Sequence, residues 1–147
     1  VLIGLVSLPI QVLIIQTETS NLNFISLIGV IIALSGVIIE SIADIQMSKF
    51  KLIPSNKGKL MDKGLWQFSR HPNYFGDSLF WWGVFIFSYG FTFNLLIIIS
   101  PIIMTYFLMR VSGVTLLERQ LRHKKEGYGE YINNTSSFLL MPKKNKK

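Results

Sequence analysis

The chain has 147 residues, half of them hydrophobic, with no cysteine and a formal net charge of +7; its mean hydropathy is +0.42. The missing cysteines exclude disulfides and thiolate metal sites. The apolar residues are gathered into the uncharged runs 1–15, 24–39 and 78–109, which marks a membrane protein, and the placing of the basic residues between such runs argues against a nucleic-acid partner.

A spanning helix needs roughly 20 mostly apolar residues. Residues 1–15 are short for a span and open without a methionine. They read as the tail of a helix that starts earlier, so the sequence is expected to be a fragment. They lack the basic start and small-residue cleavage site of a signal peptide. Pro9 is expected to kink this segment, because proline deletes a backbone hydrogen bond. A second helix is expected from about Asn23 to Met47, capped by Asn21 or Asn23, with its polar end 40–46 in the headgroup zone. The stretch from Lys49 to Lys63 carries Pro54-Ser55-Asn56-Lys57-Gly58, a turn signal.

A third helix is expected to start at Asn73 or Tyr74, after Pro72, and to end near Gly90. A fourth follows a tight turn, from about Asn94 to Ser112-Gly113. Beyond Gly113, Val114, Leu117 and Leu121 share one helical face while Glu118, Arg119, Arg122 and Lys125 cover the rest. That spacing predicts a short amphipathic helix lying on the inner surface, broken at Gly127-Tyr128-Gly129. Residues 143–147 form a basic tail suited to anionic lipid. No internal repeat and no Rossmann or P-loop glycine pattern is legible. The expected fold is therefore all-α: an integral membrane helical bundle of about four transmembrane helices plus a C-terminal amphipathic helix, occupying 1–142 and followed by the tail.

Charge is distributed asymmetrically. Between Asp44 and Arg70 there are six lysines and arginines against two aspartates, and from Arg110 onward nine against three glutamates, whereas the link 16–23 holds only Glu18. By the positive-inside rule this places the loop 44–72 and the C-terminus on the cytoplasmic side.

One polar run interrupts this pattern: Gly64-Leu65-Trp66-Gln67-Phe68-Ser69-Arg70-His71-Pro72-Asn73-Tyr74-Phe75-Gly76-Asp77. A charged side chain costs about 2.5–3.5 kcal/mol at a helix centre, so a cluster this dense at the mouth of an apolar helix implies a polar site where lipid meets water. Arg70 suits phosphate, since its planar donors bind two oxygens at once, and it stands with His71 beside a helix start whose free amides also favour anions. His71 is alternatively an interfacial histidine. Asn73 can be read as a helix cap, and Asp77 as a first-turn acid favoured by the helix dipole. Glu40 and Asp44 are one turn apart on the second helix, with Lys51 two turns beyond Asp44. The two acids need partners, either the donors of a bound nucleotide or a basic side chain in a structural network. Arg110 closes the fourth helix, where a cation complements the dipole. Tyr128 and Tyr131 read as interface aromatics, and Trp66, Phe68, Trp81 and Trp82 as belt or core residues. The two histidines, His71 and His123, have no carboxylate in ligand spacing, so no metal site is expected.

Taken together, Glu40-xxx-Asp44-x-Gln46, Ser69-Arg70-His71-Pro72-Asn73-Tyr74-Phe75-Gly76-Asp77, Arg110-x-Ser112-Gly113, Glu118, Tyr128-xx-Tyr131 and Phe138 resemble the C-terminal half of steroid 5-alpha-reductase-like membrane proteins, in particular the bacterial branch described as a domain of unknown function. The resemblance covers about 38–142. Position 77 is usually glutamate in this motif, and aspartate keeps the charge with a shorter reach. The resemblance implies a bundle in the bacterial inner membrane that embeds NADPH in a cytoplasm-facing cavity and reduces a carbon–carbon double bond conjugated to a carbonyl in a steroid-like or lipid substrate. Glu40, Asp44 and Lys51 would match the acidic pair and following cation around the cofactor, and Asn73, Tyr74 and Asp77 the set near the nicotinamide. Glu118, Tyr128 and Tyr131 would close the cytoplasmic mouth, and Lys51, Arg70, Arg110 and Arg119 would be available to the phosphates. In that family the groups that polarise the substrate carbonyl lie in the N-terminal half, so the fragment alone is expected to be inactive and its catalytic residues are not named.

Arg-His-Pro-x-Tyr-x-Gly also resembles membrane isoprenylcysteine and phospholipid methyltransferases. There S-adenosylmethionine would place its carboxylate on Arg70 and its amine on an acid such as Glu118. The end of the second helix and the Asn73/Asp77 pair favour the reductase. A non-catalytic lipid-binding protein is the third reading.

Overall fold

The computed structural model describes residues 2–16, 22–111, 114, 118 and 127–143; their regular structure is helical, with one isolated parallel bridge between Ser69 and Ser136. In chain order the helices are α1 (Leu2–Val6), α2 (Leu8–Gln16), α3 (Phe24–Leu52), α4 (Pro72–Thr92), α5 (Ile99–Tyr106), which runs on as a π-helical turn over Phe107–Val111, and α6 (Tyr128–Asn134). Short 3₁₀ turns occupy Pro54–Asn56, Gly64–Gln67 and Leu95–Ile98.

The helix starts follow local chemistry. The Asn23 side chain accepts from Ser26 N at 2.9 Å and caps α3, and Asn94 accepts from Leu96 N at 3.1 Å. The expected proline kink is a break two residues earlier, at Ser7, whose carbonyl takes the amides of Ile10 and Gln11 while Pro9 is buried in the following helix. α3 extends past the expected Met47 to Leu52, so Asp44 and Lys51 do lie on one continuous helix. It is also the one described helix both long and apolar enough to cross a membrane. Only 17% of its most apolar window is buried within the chain, the reverse of a soluble core helix. The segment Leu95–Val111 is apolar but shorter.

The contacts divide into two compact units. The first holds residues 1–37 and 76–107. Here α3 and α4 run antiparallel with their backbones almost touching. A Cβ on Gly29 would lie 2.2 Å from Phe87 N, one on Gly36 2.5 Å from Phe80 N, and one on Gly83 2.3 Å from Ala33 N. Small residues at such a seam let dispersion act over the whole helix pair, which is how helices associate where no hydrophobic effect separates them from lipid. α1 packs on α5, and Ser100 Oγ donates to Val6 O at 2.6 Å. Asp77 belongs to this unit. With α4 beginning at Pro72 it falls in the second turn, beside Trp81, and not in the first turn where the dipole would favour it.

The second unit holds residues 38–75 and 108–143 of those described, around a core of Ala43, Met61 and Trp66. Gly64 sits at φ +61°, and a Cβ there would meet Gln46 Oε1 at 2.5 Å, the atom that accepts from Leu65 N at 2.9 Å. A residue with a side chain would fail both conditions. The stretch at Gly127 does not simply interrupt a helix. Gly127 adopts φ +77° and opens α6, which buries Tyr128 and Tyr131. Most of the expected amphipathic segment 114–125, with Arg119, lies outside the described residues, as do Ser112, Gly113 and residues 144–147.

Candidate functional site

The polar motif is held by a clamp built from the C-terminal segment. Ser69 Oγ donates to Phe138 O at 2.8 Å and accepts from His71 N at 3.1 Å. Arg70 N donates to Ser136 O at 2.8 Å and Met141 N to Phe68 O at 3.1 Å. The Tyr131 hydroxyl donates to Trp66 O, and the Trp66 indole donates to Ala43 O on α3 at 3.1 Å. These bonds join α3, the motif loop and α6 into one polar framework.

Arg70 lies inside it. Its Nε donates to Glu118 Oε1 at 2.7 Å, and its Nη1 donates to the carbonyls of Ile132 (2.8 Å) and Thr135 (2.6 Å). The free phosphate-binding guanidinium expected from sequence is thus largely occupied, because three acceptors of the C-terminal segment reach it first. Glu118 Oε1 also stands 3.5 Å from His71 Nε2. Burial pushes the Glu118 carboxyl up, but hydrogen bonds from His71 and Arg70 and their charge outweigh it and hold the group below the ordinary glutamate value. Tyr131 is shifted the other way. Burial first, then the neighbouring Tyr128 and the negative charge of Asp62 and Glu118, keep its phenol protonated against the opposing pull of Arg70.

Beside this framework is a cavity of about 310 Å³ lined by residues from all three segments, at the lower end of the roughly 300–1,000 Å³ of small-molecule sites. Asp44 and Lys51 come from α3; Trp66, Arg70, His71, Asn73 and Tyr74 from the motif; Tyr128 and Tyr131 from α6. The Asn73 side chain does not cap α4. It sits inside the first turn, and its Nδ2 donates to Asp44 Oδ1 at 3.1 Å. The imidazole of His71 stacks on the Tyr74 ring, 5.5 Å between centroids and 2° from parallel. One polar atom here, Asn73 Oδ1, is buried without a hydrogen-bond partner, while His71 Nε2 faces Glu118 Oε1 at 3.5 Å. Buried polar groups are nearly always paired, so the Asn73 carbonyl oxygen is an acceptor left open at the cavity wall. No group of three or more potential metal ligands occurs among the described residues.

Of the residues singled out in the sequence, Asp44, Lys51, Arg70, His71, Asn73, Tyr74, Tyr128 and Tyr131 therefore share one cavity. Tyr128 and Tyr131 are buried walls, at 2% and 7% exposure, and not surface aromatics. Glu118 acts on the cavity through Arg70 and His71. Glu40 is on the same helix as Asp44 but not in the lining, and Arg110 is exposed at the end of the π-helical turn. The acceptors at Ile132, Thr135, Ser136 and Phe138 were missed as clamp residues, because backbone carbonyls carry no sequence signal.

No curated protein and no solved structure matches the chain. A family described as a protein of unknown function, DUF1295, matches residues 1–135, and the chain belongs to that family.

Proposed function

We propose that this chain forms the cofactor-holding part of a membrane-embedded NADPH-dependent reductase, which saturates a carbon–carbon double bond conjugated to a carbonyl in a steroid-like or other apolar lipid. The observation that carries this reading is the meeting of Asp44, Lys51, His71, Asn73 and Tyr74 around one cavity in which Asn73 Oδ1 has no partner. A nicotinamide riboside has the complementary groups. Asn73 Oδ1 and Asp44 would accept from its carboxamide and ribose hydroxyls, Tyr74, His71 and Trp66 would offer flat surfaces to its ring, and Lys51 would meet its phosphates. Arg70 is a positioning residue that fixes the loop. The hydride is the cofactor's chemistry; the protein orients the ring and excludes water. The apolar surface of α3, left uncovered by the chain itself, supports a bilayer setting, and the lysine-rich loop after it supports a cytoplasmic face at the bacterial inner membrane.

The methyltransferase reading loses ground on one point. The two groups needed for the amino-acid end of S-adenosylmethionine, Arg70 and Glu118, bind each other at 2.7 Å. The test is thermal unfolding of the purified full-length protein with each cofactor. NADPH should protect it and S-adenosylmethionine should not. Protection by S-adenosylmethionine alone selects the methyltransferase, and protection by neither removes both enzymes in favour of a lipid-binding role.

A further inference from the structure

A second cavity, about 370 Å³, lies in the same unit and shares only Leu60 and Tyr131 with the first. Asp62, Glu130, Asn134, Thr135 and Lys143 line it. Glu130 and Asn134 are one turn apart on α6, so a single helix face presents a carboxylate and an amide to the space. The residue closing this face is Thr135, 4% exposed. Its amide donates to Tyr131 O at 2.9 Å and its carbonyl accepts from Arg70 at 2.6 Å, while its hydroxyl is buried with no hydrogen-bond partner. A buried hydroxyl in that condition is destabilising unless something enters to satisfy it.

The charges point the same way. Asp62 and Lys143 line one cavity yet neither makes an ion pair among the described residues. The field of Asp62 is felt at the dividing wall, where it helps keep the Tyr131 phenol protonated. Opposite charges facing one space without closing on each other suit a guest that carries both signs.

We infer that this cavity binds a primary ammonium linked to a phosphate, the chemistry shared by free phosphoethanolamine and the headgroup of phosphatidylethanolamine. The ammonium donates to Asp62 and Glu130, the phosphate meets Lys143, and Thr135 Oγ1 with the Asn134 amide satisfies the oxygens between them. The site stands apart from the cavity assigned to the nicotinamide and does not depend on that assignment.

The test is calorimetric titration of O-phosphoethanolamine into the full-length protein in phosphatidylcholine nanodiscs. Saturable binding is expected, weakened tenfold or more by Asp62→Asn and by Lys143→Ala, an exposed position that tolerates truncation. Phosphocholine, which has no N–H to donate, should bind at least tenfold more weakly, and inorganic phosphate should not compete. Repeating the titration in nanodiscs rich in phosphatidylethanolamine separates the sources. Loss of the signal there means that the lipid headgroup fills the site, and an unchanged signal means that the soluble compound does. Absence of saturable binding, equal binding of phosphocholine, or wild-type affinity in Asp62→Asn with an unaltered melting temperature overturns the proposal.

Discussion

Arg70 Nε and Glu118 Oε1 are 2.7 Å apart, with both side chains largely withdrawn from solvent, and the two residues are 48 positions apart in sequence. The pair closes the motif loop against the C-terminal segment, and its removal should be felt as stability before it is felt as binding. Taking away one member of a buried pair typically costs about 3–5 kcal/mol. Arg70→Ala should lie at the upper end, since it also strips the donor from the carbonyls of Ile132 and Thr135, and Arg70→Lys should recover only part of the loss. Denaturant unfolding of the three proteins measures the order. An Arg70→Ala protein as stable as the parent would refute the clamp.

The same pair sets an acid limb. The folded-state pKa of Glu118 lies below its ordinary value of 4.5, so the folded chain holds its proton less tightly than the unfolded one. The stabilisation is complete above the unfolded pKa and is lost as pH falls through the depressed folded value. Melting temperature followed from pH 7 downward should fall in that region for the parent, and this component should be missing from Glu118→Gln.

Tyr131→Phe should destabilise by about 1–3 kcal/mol, because it leaves Trp66 O buried without its donor. The raised phenol pKa adds a sign. Its contribution is complete below the tyrosine range and declines as pH rises toward the folded value, so parent and variant should converge at high pH. Denaturant unfolding of parent and variant across this pH range, followed by tryptophan fluorescence, measures both effects.

The antiparallel seam should tolerate nothing larger than its glycines. Gly29→Ala and Gly83→Ala place a methyl against backbone atoms that cannot rotate away, and overpacking of this kind costs about 1–3 kcal/mol or more. Gly129→Ala, with open space around its Cβ position on α6, should be neutral or stabilising by up to about 1 kcal/mol. Protease susceptibility in micelles separates the two groups, and equal susceptibility would dismiss the seam.

Under the proposed function, Lys51→Ala should weaken NADPH binding about tenfold, roughly 1.4 kcal/mol, with the deficit shrinking as salt screens the exposed charge. A loss that ignores ionic strength would mean that Lys51 does not meet the phosphates.

The sequence by itself determined the helical class, the helix starts at Asn23 and Asn94, and the position of the polar motif. Each of these is written in local chemistry: caps, proline and uncharged runs. The glycine seam was not read from the sequence: Gly76, Gly83 and Gly90 recur every seven residues on α4 and Gly29, Ala33 and Gly36 stand opposite on α3, but this is a pattern of small residues and not of hydrophobicity. Only the tertiary structure decided that Arg70 is held internally, that Asn73 pairs with Asp44 and does not cap its helix, and that Tyr128 and Tyr131 are walls. Those outcomes depend on which acceptor lies nearest in space. The acceptors are main-chain carbonyls and side chains tens of residues away, and every residue type carries the same carbonyl.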